Sequence, residues 1–237
     1  MKELTDAMDG VLEWLASDYF RVEVSGLENI PATGPALLAA NHSGAWALDG
    51  LVLHNVLHRR LARPIHLYVA ELFFRVPALA AYAQRHGAFT DDPTLGRDRL
   101  AEGHLVAVFP EGIDGVGKPF SERYRLRPFG PGFAATAVLT GVPVVPVSVV
   151  GAEETYPKLG EIGALARRFG LPYFPVTTLL PLPAKWIVSV GEPIPAPSDA
   201  GTFAQRSAAA RRLSDEVWFT VQGMVDRDRR RRATPFW

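Results

Sequence analysis

The chain has 237 residues, 48% of them hydrophobic and 21% charged, with 25 basic against 25 acidic side chains and no cysteine. That composition excludes disorder, collagen-like repeats and a disulfide scaffold, and the missing cysteine excludes a thiol nucleophile and a cysteine zinc site. Zero net charge argues against a nucleic-acid partner, and a chain this long buries roughly 70–75% of its unfolded surface, so a single domain over 1–237 is expected.

Leu4, Met8, Val11, Leu12, Leu15 and Tyr19 recur at helical spacing and predict an amphipathic helix over 3–20. Lys2 and Glu3 open that stretch, and a charged amphipathic run follows instead of the apolar core of a signal peptide. A cytoplasmic protein is therefore expected. A strand at 21–24, a loop at 26–34 carrying Pro31 and Gly34, and a second strand at 36–40 come next. Apolar runs at 65–70, 105–109, 142–150 and 186–190 read as further strands, and helical patterns lie near 47–61, 72–85, 94–102, 132–140 and 161–168. A last helix over 202–226 leads into a basic tail, Arg227 to Arg232, and then Phe236 and Trp237. Near-continuous apolar strands alternating with helices predict an α/β fold, a central mostly parallel or mixed sheet flanked by helices. Residues 29–48 and 128–152 approach the ~20 residues of a membrane span. Asn41, His42 and two prolines interrupt the first, and Pro128, Pro131, Pro143 and Pro146 the second, so both read as core.

The chemistry concentrates where two buried strands end. The 36–40 strand runs into Asn41, His42, Ser43 and Gly44, with Asp49 shortly after. In open α/β sheets ligands bind beyond the carboxyl ends of the strands, so the strand itself delivers His42 to the crevice. An imidazole there suits a general base acting on a hydroxyl, and Asp49 is the candidate to fix its tautomer. The alternative is a strand-capping histidine and a solvated aspartate. The 105–109 strand likewise ends in Pro110, Glu111 and Gly112, and two such ends share one crevice.

With these residues in place the sequence resembles the lysophospholipid acyltransferase superfamily, closest to its monoacylglycerol acyltransferase-like branch. The hallmarks appear in the family's order: Asn41, His42 and Asp49, then Phe109, Pro110, Glu111 and Gly112, then Val142, Pro143, Val144, Val145 and Pro146. The likeness runs from Tyr19, Phe20 and Arg21 to Gly191, Glu192, Pro193 and Ile194. It implies a glycerolipid acyltransferase-like fold and O-acyl transfer from an acyl thioester to the hydroxyl of a glycerolipid or related acceptor, as in phospholipid biosynthesis. The donor is acyl-CoA or acyl carrier protein, with no metal and no other cofactor. His42 and Asp49 are the implied catalytic pair. Asn41, Ser43, Gly44, Phe109, Pro110, Glu111 and Gly112, with Lys118 and Arg97, are the implied substrate-binding set, Glu111 contacting the acceptor. Two departures stand out. Six residues separate His42 from Asp49 where four are common, and both phosphate-binding arginines of the family are missing. Asp91 and Asp92 follow the Gly87 to Thr90 motif, and Ile113 and Asp114 follow Gly112. Either the acceptor is not phosphorylated, or Arg97, Lys118, Arg123 and Arg125 supply the charge.

Other signals compete weakly. Gly112 to Lys118 matches a phosphate-cradling loop up to its lysine, but Pro119 stands where Ser or Thr should hold magnesium. His54 and His58 have metal-ligand spacing without the glutamate of a zinc protease, and read as ordinary helix-face histidines. Ser148 lacks the frame of a hydrolase elbow. The basic tail, the first helix and the apolar segment 171–186 are candidates for contact with an anionic membrane, which makes a peripheral protein at the cytoplasmic face the expectation. A thioester hydrolase using the same histidine and a non-catalytic lipid-binding module are the alternative functions.

Overall fold

Strand and helix alternate because short runs of Val, Leu, Ile and Ala are closed by glycine, proline or a polar cluster. The computed structural model describes residues 2–61, 63–90, 92–197 and 201–236, so Asp91 and Trp237 lie outside the described residues. In chain order the elements are α1 (Lys2–Trp14), β1 (Glu23–Ser25), β2 (Ala36–Ala40), α2 (Leu48–Arg60), β3 (Ile65–Leu67), α3 (Pro77–Arg85), α4 (Pro93–Ala101) and β4 (Leu105–Val108). There follow α5 (Gly112–Val116), α6 (Gly132–Thr140), β5 (Val144–Val150), α7 (Ala152–Thr155), β6 (Gly160–Glu161), α8 (Gly163–Phe169), β7 (Pro175–Val176), β8 (Ile187–Val190) and α9 (Phe203–Arg231).

Six strands form one sheet in the order β1-β8-β5-β2-β4-β3. β3, β4, β2 and β5 are parallel, while β8 runs antiparallel to β5 and carries β1 parallel to itself. The expected α/β architecture, mostly parallel and flanked by helices, is the one found. Every residue of β2 is buried, because both faces of the sheet are covered. Leu38 and Ala40 face a core with Leu12 of α1, Val52 and Val56 of α2, and Trp186. Leu37 and Ala39 face the other, with Phe133 and Ala137 of α6 and Leu213, Val217 and Val221 of α9.

Several boundaries differ from expectation, each for a local reason. The strand expected at 21–24 begins only at Glu23, because Arg21 takes a left-handed φ of 48°. The helix expected at 72–85 is split into a tight turn, Glu71–Arg75, and α3, since Pro77 cannot continue a helix from the preceding turn. The first helix closes its last turn wide, with Phe20 N–H donating to Leu15 O at 2.7 Å. The final helix continues past 226 to Arg231. In the basic tail Arg227 and Arg231 lie 3.2 and 3.6 Å from the buried Asp228 yet stay exposed, Arg229 and Arg230 are exposed too, and the Arg232 side chain is buried 2.7 Å from Glu154. Val150 pairs with Ile187, so residues 151–186 leave and rejoin the sheet at the carboxyl edge of its parallel strands.

Candidate active site

Asn41 ends β2 by replacing the next rung of the ladder with its own amide. Its Nδ2 donates to Val149 O at 2.9 Å and its Oδ1 accepts from Val149 N–H at 2.7 Å. Both bonds are buried, so losing the side chain strands two backbone groups of β5 at about 1–3 kcal/mol each. The chain then turns out of the sheet and presents His42.

Asp49, in the first turn of α2, reaches back across six residues to place Oδ2 at 2.8 Å from His42 Nδ1. Two left-handed residues, Gly44 (φ 83°) and Ala47 (φ 55°), fold the intervening loop, closed by Ala47 N–H on Gly44 O at 3.0 Å. A Cβ on Gly44 would come within 2.8 Å of Ala152 O, a further demand for glycine. The Asp49 side chain is fully buried and also accepts from Ser43 N–H at 2.7 Å and Gly50 N–H at 2.9 Å. A carboxylate only accepts, so it fixes the proton on Nδ1 and leaves the lone pair on Nε2. The His42 side chain keeps 15% of its surface exposed and stacks on Phe109 at 4.3 Å between ring centroids. Among the described residues Nε2 has no hydrogen-bond partner.

Glu111 follows β4 and its side chain is fully buried. It accepts from His42 N–H at 2.8 Å, Arg127 N–H at 2.6 Å and Lys118 Nζ at 3.2 Å. Lys118 also lies 3.0 Å from Glu153 Oε1, and Tyr124 N–H donates to the other oxygen of that carboxylate. Burial pushes the Glu153 carboxyl up to about 7, with Lys118 pulling the other way. For Lys118 burial works against the charge, but Glu153 and Glu111 outweigh it and raise the ammonium. Next to this group, Glu154 takes the Tyr124 hydroxyl and Arg232. Glu153 and Glu154 were missed in the sequence, although a signal existed: they are polar residues just beyond β5, as His42 is beyond β2 and Glu111 beyond β4.

His42, Asp49, Asn41, Ser43, Gly44, Phe109, Glu111 and Lys118 are thus brought into one cluster. Pro110 and Gly112 form the adjoining turn, where Gly112 N–H is spent on Phe109 O at 2.9 Å. Arg97 stands apart on the exposed side of α4. Lys118 sits in buried ion pairs, and α5 occupies the place of a phosphate loop. Of the other arginines suggested for phosphate, Arg123 lines the cleft beside Gly44 and Ala45. Ser148 lies far from any nucleophile's setting, its hydroxyl donating to Asp228 under α9 at 2.5 Å.

The 151–186 excursion closes the other side of the cleft. Ala45 N–H donates to Tyr156 O at 3.1 Å and the Tyr173 hydroxyl to Ala45 O at 3.1 Å. Lys158 Nζ donates to Gly117 O at 2.8 Å.

A histidine steadied by a buried carboxylate at the carboxyl edge of a parallel α/β sheet is a layout for general-base chemistry on a bound ligand. Residues 21–150 match the family model described as Acyltransferase, and the chain belongs to that family. An uncharacterized protein of Mycobacterium tuberculosis is 42% identical over 224 residues, covering 90% of this chain and 63% of the relative. A Gallus gallus protein described as a DGAT1/2-independent enzyme synthesizing storage lipids is 31% identical over 178 residues, 73% of this chain and 52% of that one. The chain spans about half to three fifths of the length of these relatives. In fold it is similar to the crystal structure of the 1-acyl-sn-glycerophosphate (LPA) acyltransferase PlsC from Thermotoga maritima. That match has a TM-score of 0.64 at 23% identity and covers 98% of this chain and 81% of that one.

Proposed function

We propose that the chain transfers a fatty acyl group from an acyl thioester to the hydroxyl of a glycerolipid or related acceptor, with His42 as general base. The carrying observation is the 2.8 Å contact between His42 Nδ1 and buried Asp49, which leaves Nε2 as the lone-pair nitrogen. The acceptor oxygen attacks the thioester carbon as its proton passes to Nε2. The tetrahedral intermediate then collapses, the carbon–sulfur bond breaks, and the imidazolium returns the proton to the departing thiolate. Such a base contributes ~10²–10⁴-fold. Two donors beside His42 suit the oxyanion. Among the described residues Ser43 Oγ is buried without a partner, and Gly44 N–H is the amide in the 42–45 run not already engaged. Glu111 is assigned to holding the His42 backbone rather than the acceptor, since its oxygens are taken by three internal donors.

Thiol release from palmitoyl-coenzyme A is the direct test, run with glycerol phosphate, lysophosphatidate or monoacylglycerol. Release that depends on one acceptor supports transfer and names the acceptor class. Release indifferent to all of them means a hydrolase, and a protein that binds the donor without releasing thiol is a lipid-binding module.

The reading extends to the membrane. Among the described residues no helix is long and apolar enough to cross one, but the 151–186 excursion exposes Leu159, Phe169, Leu179 and Leu180, the last two at 98% and 76%. Arg167 and Arg168, which precede Phe169 in α8, are exposed as well. Apolar tips with flanking cations suit an anionic lipid surface, and Phe169 leads to the site through Phe174 and Trp46. The protein is expected to float with anionic vesicles, and Leu179→Asp with Leu180→Asp to leave it in the bottom fraction. Equal flotation of the double variant would refute this surface.

A further inference from the structure

Farther along α2 from Asp49, α2 and the end of α3 bring three imidazoles together, with Asp9 of α1 against one of them. His54 and His58 lie one turn apart on α2, and His86 follows the last residue of α3. Ring centroids are 4.9 Å apart for His54 and His86, 5.0 Å for His58 and His86, and 5.6 Å for His54 and His58. One ring nitrogen from each lies within 4.8 Å of the others. The third ligand comes from a distant part of the chain, so the pair His54 and His58 looked ordinary in sequence.

The surroundings orient the rings as metal ligands are oriented. His54 Nε2 lies 3.2 Å from Ile65 O, which only accepts, so Nε2 carries the proton and Nδ1 the lone pair. His86 Nε2 lies 3.2 Å from Asp9 Oδ1, again a fixed acceptor. A carbonyl or carboxylate on the far nitrogen is the usual outer partner of a ligating histidine. A tetrahedral ion with ~2.0–2.1 Å bonds needs nitrogens ~3.3 Å apart. Binding such an ion therefore requires exposed His58 to swing inward and the Tyr82 hydroxyl, 2.9 Å from His54 Nδ1, to yield its place.

We infer that His54, His58 and His86 form a binding site for a first-row divalent cation of the zinc class, tying α2 to the end of α3. Imidazole donors suit zinc over magnesium or calcium. Asp49 lies five residues before His54 on the same helix, about 7.5 Å along its axis. The ion therefore braces the helix that carries the partner of His42, without taking part in the reaction.

The test uses the full chain, stripped with EDTA, desalted and titrated with zinc chloride by calorimetry and thermal melting. One equivalent is expected to bind, and saturation at a hundredfold excess over Kd to raise Tm by about 5–10 °C. His58→Gln and His86→Gln are expected to keep the metal-free Tm and to weaken binding at least 30-fold. Because His58 is exposed, its variant folds whatever the fate of the site. Absence of zinc binding in the wild type, or binding unchanged in both variants, overturns the inference.

Discussion

Asp49→Asn is expected to lower turnover about 10³–10⁴-fold with little change in KM, close to the loss for His42→Ala. The reason is the tautomer. An asparagine amide offers two N–H donors, and one turned toward Nδ1 makes that nitrogen the acceptor and moves the ring proton to Nε2. The imidazole stays in place with its lone pair pointing at the wrong group. Asp49→Ala loses less geometry-specific chemistry but more structure, because Ser43 N–H and Gly50 N–H also rest on this carboxylate. Rates of acceptor-dependent thiol release, read beside Tm for each variant, separate the two effects. A folded Asp49→Asn within threefold of the wild-type rate would remove Asp49 from the mechanism.

The second large effect is on stability and runs opposite to the usual carboxylate. Glu153 has its carboxyl raised from 4.5 to about 7, chiefly by burial. Above pH 4.5 the unfolded chain has released this proton while the folded protein still holds it. The contribution is therefore complete below 4.5 and lost as pH rises through 7. Between pH 5.5 and 8.5 this group alone is expected to cost about 2 kcal/mol. Lys118 stays charged over that range, so the buried group passes from balanced to net negative. Glu153→Gln imitates the protonated acid and is expected to abolish that slope, whatever its constant offset. Urea denaturation of both proteins at a series of pH values measures it, and parallel profiles would dismiss a raised Glu153.

The sheet was legible because burial on both faces writes strands such as β2, β4 and β5 as unbroken apolar runs. Polar residues directly after such runs were legible as a candidate site for the same reason: a strand end leaves them at the crevice. His42 and Glu111 were found this way. Asp49 could be named but not placed, since the distance between two residues across a loop depends on left-handed turns at Gly44 and Ala47 that spacing does not reveal. Long-range partners were beyond reach. Asn41 bonds to Val149 and Lys118 to Glu153, pairings that exist only once β2, β4 and β5 stand side by side. Lys118 illustrates the cost: in sequence it looked like a cation for a phosphate, and the fold turns it inward between Glu111 and Glu153.

The reversal of β8 sets what can vary in this architecture. Val150 and Ile187 are paired neighbours, so the excursion between them begins and ends at one point of the sheet. Lengthening such a closed segment costs only ~0.6 kcal/mol per doubling in loop entropy, and it leaves the register of β2 and β4, and hence His42 and Glu111, untouched. The wall of the cleft can therefore change in length between its fixed points, while Ala152, Glu153 and Tyr156, which touch Gly44, Lys118 and Ala45, have to stay where they are.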